Sequence, residues 1–309
     1  MDKLDASGRN AMKDGKYRIL ITGTSSGFGK LTAVTLALAG HHVIAGMRDP
    51  NGKNAAAKAD LLAKCAAIEI VDLDVTSDES VNTAVAHIDN KAGGIDVLVN
   101  NAGLSVVGIS EAVTMEQTRA LFEVNVFGVQ RMNRAVLPIM RRAGSGLLIH
   151  VSSSLGRVVL PLLTVYEATK FALECLAEGY RYELAPAGIE SIVVEPGAFP
   201  TNITANMLIA SDTDRNNGYP ALVPALNGMM AMFEGMAKDP NAPNPQNVAD
   251  AIARLVEMDP GTRPIRTSVD GQMGPLVEII NRTTDQVQTQ ALTAMGMAGL
   301  LTPNVARKD

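Results

Sequence analysis

The stretch VYEATKF, Val165 to Phe171, sets a tyrosine and a lysine four residues apart, at Tyr166 and Lys170. On a helix, side chains at that spacing share one face. A phenol ordinarily releases its proton near pH 10, too high for a base at neutral pH, but a neighbouring ammonium favours the phenolate and lowers that value. The pair could therefore move a proton at a reacting oxygen. The same spacing is also common on solvated helix faces, so its meaning depends on what stands around it.

A second stretch, TGTSSGFG, carries glycines at Gly23, Gly27 and Gly29, between an apolar run and a helical pattern. Glycines there permit a tight turn and let backbone N–H groups approach a pyrophosphate at a helix N-terminus. The next strand ends Met47-Arg48-Asp49. The acid that usually meets a ribose 2′-hydroxyl is missing from its usual place, and the planar fork of Arg48 suits a 2′-phosphate instead. NADP(H) is therefore favoured over NAD(H). Asp49 keeps NAD open, as does the lack of a basic residue between Gly23 and Gly27, where Ser25 and Ser26 offer only hydroxyls.

Those stretches need a scaffold. From Tyr17 onward, apolar runs (YRILIT, HHVIAGM, AIEIVDLDV, IDVLVN, GLLIHVS, IESIVVEP, RPIRTSVD) alternate with helical patterns. This predicts α/β architecture, a doubly wound parallel sheet of the Rossmann kind with about seven strands, covered on both faces. Ser77 in N-cap position and paired glycines after Ala92 bound one of the helices. Longer helical patterns cover Met115 to Arg142, Val165 to Ala185 and a segment near the C-terminus. NNAG, SSS and EPGAFPT fall at the ends of strands four, five and six, where such sheets bind ligands. The expected organisation is an N-terminal arm over 1–16 and one domain over 17–309, with a helical, lid-like insertion at 202–247 and a C-terminal extension at 271–309.

Composition excludes several classes. Hydrophobic residues make up 47% of the 309 residues, enough for a large core, and the net charge of -5 argues against a nucleic-acid partner. The two cysteines, Cys65 and Cys175, have no disulfide or zinc spacing, and His41, His42, His87 and His150 read as structural, so no metal is expected. No apolar run is long enough to span a bilayer and no signal peptide opens the chain, which predicts a cytoplasmic protein.

Taken together, TGTSSGFG, NNAG, the Asn of VNVFG, SSSLG, YEATK and PGAFPT resemble the short-chain dehydrogenase/reductase family in its single-domain form, over Tyr17 to Thr201. The resemblance implies an NAD(P)-dependent oxidoreductase acting on CH–OH groups, with a catalytic tetrad at Asn125, Ser153, Tyr166 and Lys170. Tyr166 would be the general acid and base, with Lys170 lowering its pKa and bonding the nicotinamide ribose. Ser153 would hold the substrate oxygen, and Asn125 would anchor a water in the proton relay. The implied cofactor contacts are Gly23, Ser25, Ser26, Gly27, Phe28 and Gly29 at the turn, Arg48 beyond strand two, and Asp74 and Val75 beyond strand three. They continue with Asn101, Ala102 and Gly103, with Tyr166 and Lys170, and with Pro196, Gly197 and Thr201. For Asp74, a loop-forming role stands equally open.

On the substrate side, five of the 15 methionines fall between Met207 and Met236. Leu226, Met229, Met230, Phe233, Met236 and Ala237 form a helical stripe that could pack on the domain or act as a lid over an apolar substrate. Leu155, Leu160, Leu163 and Phe199 are candidate pocket walls. The implied reaction interconverts a carbonyl and a secondary alcohol on an apolar small molecule, with a weaker likeness to hydroxysteroid- and retinol-dehydrogenase-like members. The family likeness also implies a homodimer or homotetramer, paired through the two long helices. Two alternatives remain: a non-catalytic dinucleotide-binding redox sensor, and a lyase or epimerase that uses its bound cofactor internally.

Overall fold

A computed structural model of the chain describes residues 15–201, 207–236 and 238–305. Residues 1–14 of the expected arm, 202–206 and 237 of the expected insertion, and 306–309 of the extension lie outside the described residues. In chain order the first half comprises β1 (Arg18–Thr22), α1 (Gly27–Leu38), β2 (His42–Met47), α2 (Ala55–Lys64), β3 (Glu69–Asp72), α3 (Asp78–Ala92), β4 (Val97–Asn100) and β5 (Val106–Val107). Next come α4 (Met115–Phe122), a five-residue π-turn (Glu123–Phe127), α5 (Gly128–Ala143), β6 (Gly146–Val151), α6 (Thr164–Leu184) and β7 (Ile189–Pro196). The chain ends with β8 (Leu208–Ile209), α7 (Val223–Met236), α8 (Gln246–Glu257), β9 (Arg266–Val269) and α9 (Gly274–Ala294).

Seven strands form one parallel sheet in the order β3-β2-β1-β4-β6-β7-β9. These are the seven expected from the sequence. Alternate side chains of each strand go to opposite faces. Ile19, Ile21, Val43, Ala45, Val97, Val99, Leu147 and Ile149 meet Ala33 and Leu36 of α1 and Val248, Ile252 and Leu255 of α8. Leu20, Ile44, Leu98 and Leu148 meet α3 and α5 through Val81, Val85, Ile88, Met132, Val136 and Met140. With both faces covered, the central strands β1, β2, β4 and β6 read as near-continuous apolar runs. The sheet reverses direction of growth between β1 and β4, which leaves a crevice beyond their carboxyl ends.

Local signals fixed several boundaries. Ser77 Oγ accepts from Ser80 N at 3.2 Å, and Gly93 closes α3 in the left-handed region at φ 75°. Three elements were not expected. β5 and β8 pair as a small parallel sheet, Val106 with Leu208 and Val107 with Ile209, pinning the segment after β7 beside the crevice. Helix α8 lies beside α1, with Gln246 Nε2 donating to Thr35 Oγ1 at 2.7 Å. Its apolar positions, Val248, Ala249, Ala251, Ile252, Leu255 and Val256, recur at helical spacing and are all buried.

Among the described residues no helix is long and apolar enough to cross a membrane. The role of α8 in closing one face of the sheet leads to a direct expectation. Ile252 is fully buried, so Ile252→Ala should destabilise the fold by about 2–5 kcal/mol. The check is the midpoint of denaturant unfolding; an unchanged midpoint would show that α8 does not seal this core.

Candidate active site

The carboxyl ends of the strands surround one cleft of about 730 Å³. The glycine turn forms its floor near α1. Gly23 holds φ +70°, and a Cβ there would sit 2.8 Å from the Ala102 backbone. A Cβ at Gly29 would collide with the Gly23 carbonyl and the Asn101 side chain. Ser26 caps α1 without a side-chain hydrogen bond to its amides. The result is a cradle of bare backbone at a helix N-terminus, the feature that accepts phosphate oxygens. Thr22 fastens the neighbouring turn: its Oγ1 accepts from Asn101 N and Ala102 N, each at 3.0 Å. These residues fit a dinucleotide.

Most of the residues expected from the sequence meet in this cleft. Ser25, Ser26, Gly27, Phe28, Arg48, Asp74, Val75, Asn101, Ala102, Gly103, Ser153, Tyr166, Lys170, Pro196, Gly197 and Thr201 all line it, as do Leu155, Leu160, Leu163 and Phe199. Gly29 lies behind the turn, where its role is close packing. Phe199 packs edge-on against Phe28, 5.5 Å between ring centroids, which places it at the glycine turn. Asp74 Oδ1 accepts from Thr76 N and Thr76 Oγ1 at 2.9 and 2.8 Å, so its side chain also shapes its own loop.

Asn125 does not reach the cleft surface. It sits in the π-turn between α4 and α5, and its side chain is only 1% exposed. Its Oδ1 accepts from Leu104 N at 2.8 Å, and its Nδ2 donates to Leu104 O and Thr169 Oγ1 at 2.8 and 2.9 Å. Thr169 Oγ1 in turn donates to Tyr166 O at 2.6 Å. Asn125 and Thr169 thus tie the turn after β4 to the helix that carries Tyr166. A π-turn inside a helix often marks such a functional position; Thr169 gave no sequence signal.

Tyr166 and Lys170 lie on one face of α6, both buried, with Lys170 Nζ 5.8 Å from the phenol ring centroid. Lys170 Nζ donates to Val151 O at 2.9 Å. Burial pushes the Tyr166 phenol up to about 12, against a hydrogen bond from Ser153 that favours the phenolate. Burial likewise pulls the Lys170 ammonium down to about 8. In the protein alone, loss of water around the phenolate outweighs the attractions that favour it. At neutral pH the pair is a phenol beside an ammonium, ready to give a proton. Ser153 Oγ accepts from Leu155 N at 3.1 Å and lies 3.5 Å from Pro196 O, at the same wall.

Beyond β2, Lys53 and Asn54 join Arg48 on the cleft wall. The Asp49 carboxylate instead accepts from Lys53 N at 2.7 Å. On the far side, Met229, Met232, Phe233 and Met236 of α7 line the cleft, while Leu226 and Met229 pack on the apolar cluster around Tyr166. The methionine stripe therefore both packs and faces the cavity.

The profile of the short chain dehydrogenase family matches residues 17–211. The chain is 35% identical to a 3-ketodihydrosphingosine reductase of Bacteroides thetaiotaomicron, over 85% of this chain and 89% of that protein. It is 31% identical to bovine (Bos taurus) retinol dehydrogenase 8, over 87% of this chain and 86% of the relative. Among solved structures, a short-chain dehydrogenase from Streptomyces avermitilis superposes with a TM-score of 0.75 at 32% identity, covering 92% of this chain and 98% of that one. The cradle, the strand-end cleft and these matches agree: the chain belongs to the short-chain dehydrogenase/reductase family, whose members are oxidoreductases acting on CH–OH groups with NAD(P).

Proposed function

We propose that this protein is an NADP-preferring oxidoreductase that interconverts a carbonyl and a secondary alcohol on an apolar small molecule. The observation that carries the reading is the meeting, in one cleft, of Tyr166, Ser153 and Lys170 with the glycine turn, the basic corner of Arg48 and Lys53, and the methionine face of α7. When bound, the dinucleotide supplies or takes up a hydride. Gly23, Gly27 and the first amides of α1 bind its phosphates, and Lys170 holds the ribose next to the nicotinamide. Arg48 and Lys53 bind the 2′-phosphate, a preference supported by the engagement of Asp49 with the backbone of Lys53.

In reduction, Tyr166 gives its phenolic proton to the carbonyl oxygen; in oxidation, the tyrosinate takes the proton back from the alcohol. Ser153 holds that oxygen, and the Lys170 ammonium stabilises the tyrosinate. Asn125 holds the turn after β4 in place. Met229, Met232, Phe233 and Met236 exclude water and accept an apolar body. The relatives named above make 3-ketodihydrosphingosine, a ketone whose reduction gives a secondary alcohol, the first compound to test, and retinol, a primary alcohol, the contrast to it. In the same reading the chain associates as a homodimer or homotetramer through α4–α5 and α6, covering the exposed Met115, Phe127 and Phe171.

Tyr166→Phe should lower turnover by about a hundredfold or more while leaving NADPH affinity nearly unchanged. Wild-type turnover in that variant would sink the assignment. Arg48→Ala should weaken NADPH binding far more than NADH binding in a fluorescence titration; equal losses would remove Arg48 from phosphate recognition. NADPH affinity should also depend on pH. Lys170 is charged below about 8, so binding that prefers the ammonium is at full strength there and weakens as pH rises through that value. Lys170→Arg, which stays charged, should flatten the profile between pH 7 and about 9.5. A wild-type profile that is flat across that range would contradict the placement of Lys170 against the cofactor.

A further inference from the structure

Ser153 is the middle of three serines, and the next one is anchored across the chain. Ser154, 2% exposed, donates from Oγ to Asp270 Oδ2 at 2.8 Å. Asp270 follows β9 directly. Its Oδ1 accepts from Gln272 N at 2.8 Å and Met273 N at 2.9 Å, closing the turn that starts α9. The same carboxylate fills the space that a Cβ at Gly197 would need. Gly197 N donates to Val269 O at 3.0 Å, so the turn after β7 is tied to the same place. Pro196 O, at the start of that turn, lies 3.5 Å from Ser153 Oγ. One carboxylate thus joins three pieces: the turn that carries Ser153, the turn after β7 and the start of the C-terminal helix.

A carboxylate only accepts, so the Ser154 hydroxyl must point its hydrogen at Asp270, and a bond to an ionised acceptor is shorter and stronger than a neutral one. The backbone between Ser153 and Leu155 is held from one side by this bond and from the other by Ser153 Oγ on Leu155 N. We propose that Asp270 is a positioning residue: through Ser154 it fixes the backbone that aims Ser153 at the substrate oxygen, which gives β9 and α9 a part in the reaction. The proposal rests on the role of Ser153 stated above.

The test compares Ser154→Ala, Asp270→Ala, the double variant and Ser153→Ala in the full chain. Turnover is followed as NADPH oxidation with 9,10-phenanthrenequinone, an apolar dicarbonyl probe. NADPH affinity is measured by fluorescence, and exchange of the amides of 152–156 by mass spectrometry. Ser154→Ala leaves the α9 turn intact, so it carries the test if Asp270→Ala does not fold. The expected result is a fall in kcat of about tenfold or more in Ser154→Ala, since small misplacements of a reacting group are costly. NADPH affinity should stay within about twofold, separating kcat from cofactor binding. Ser154→Ala should add no further loss of kcat on the Asp270→Ala background, since its contact is already gone there, and the amides of 152–156 should exchange faster. Wild-type kcat or wild-type exchange in Ser154→Ala overturns the proposal, as does a loss of NADPH affinity in step with kcat, while Ser153→Ala still abolishes turnover. If Ser153→Ala turns over like the wild type, the role of Ser153 itself falls, and this proposal with it.

Discussion

A parallel sheet sealed on both faces leaves nowhere along its strands for reactive polar groups. The interior of β1, β4 and β6 is filled by side chains such as Ile21, Leu98 and Ile149, each fully buried. Polar side chains within the strands are paired internally, as His150 is with Ser191 and Glu190 with Arg263, and polar groups open to a ligand gather past the last residue of each strand, where the apolar layers stop. That constraint gathers the glycine turn after β1, the basic corner after β2, the NNAG turn after β4, the serines after β6 and the Pro-Gly turn after β7 into one cleft. The pieces come from distant parts of the sequence and share a place because the strands run side by side in one direction.

Within the cleft, burial sets the protonation of the reacting pair. Tyr166 and Lys170 both lose water, and each is pushed toward its neutral form, to about 12 and about 8. The phenol is thereby kept as an acid across the physiological range, and the ammonium lies close to its own titration point. Removing the phenolic proton is unfavourable until a further positive charge or a developing oxyanion enters the cleft. In the proposed reaction Tyr166 is thus a proton donor in reserve instead of a standing base. The ties from Asn125 through Thr169 to the Tyr166 backbone keep that donor in register with the turn after β4.

Much of this was legible in the sequence because it rests on local rules. Continuous apolar runs mark strands buried on both faces, Ser77 and Gly93 mark the ends of α3, and the glycine spacing marks the phosphate cradle. The motifs after each strand could be placed in one cleft by topology alone. What escaped depends on contacts between distant segments. β5 and β8 are two residues each, too short for any periodic signal, and exist only because they pair with each other. α8 carries an apolar stripe at helical spacing, but its partner α1 lies some two hundred residues earlier in the chain, with Gln246 bonded to Thr35. Lys53, Thr169 and Asp270 acquire their places only when the turns are folded against one another. The direction of the Tyr166 shift could not be read from its spacing to Lys170, because spacing reveals the partner and not the loss of solvent.

In the proposed reaction this cleft reduces a carbonyl with the proton of Tyr166 and a hydride from NADPH. The most direct measurement uses NADPH deuterated at both C4 positions with a panel of long-chain ketones, and mass spectrometry of the alcohols formed. One deuterium is expected on the carbinol carbon of a product. Alcohols formed without deuterium, or no reduction of any ketone by a protein that binds NADPH tightly, would contradict it.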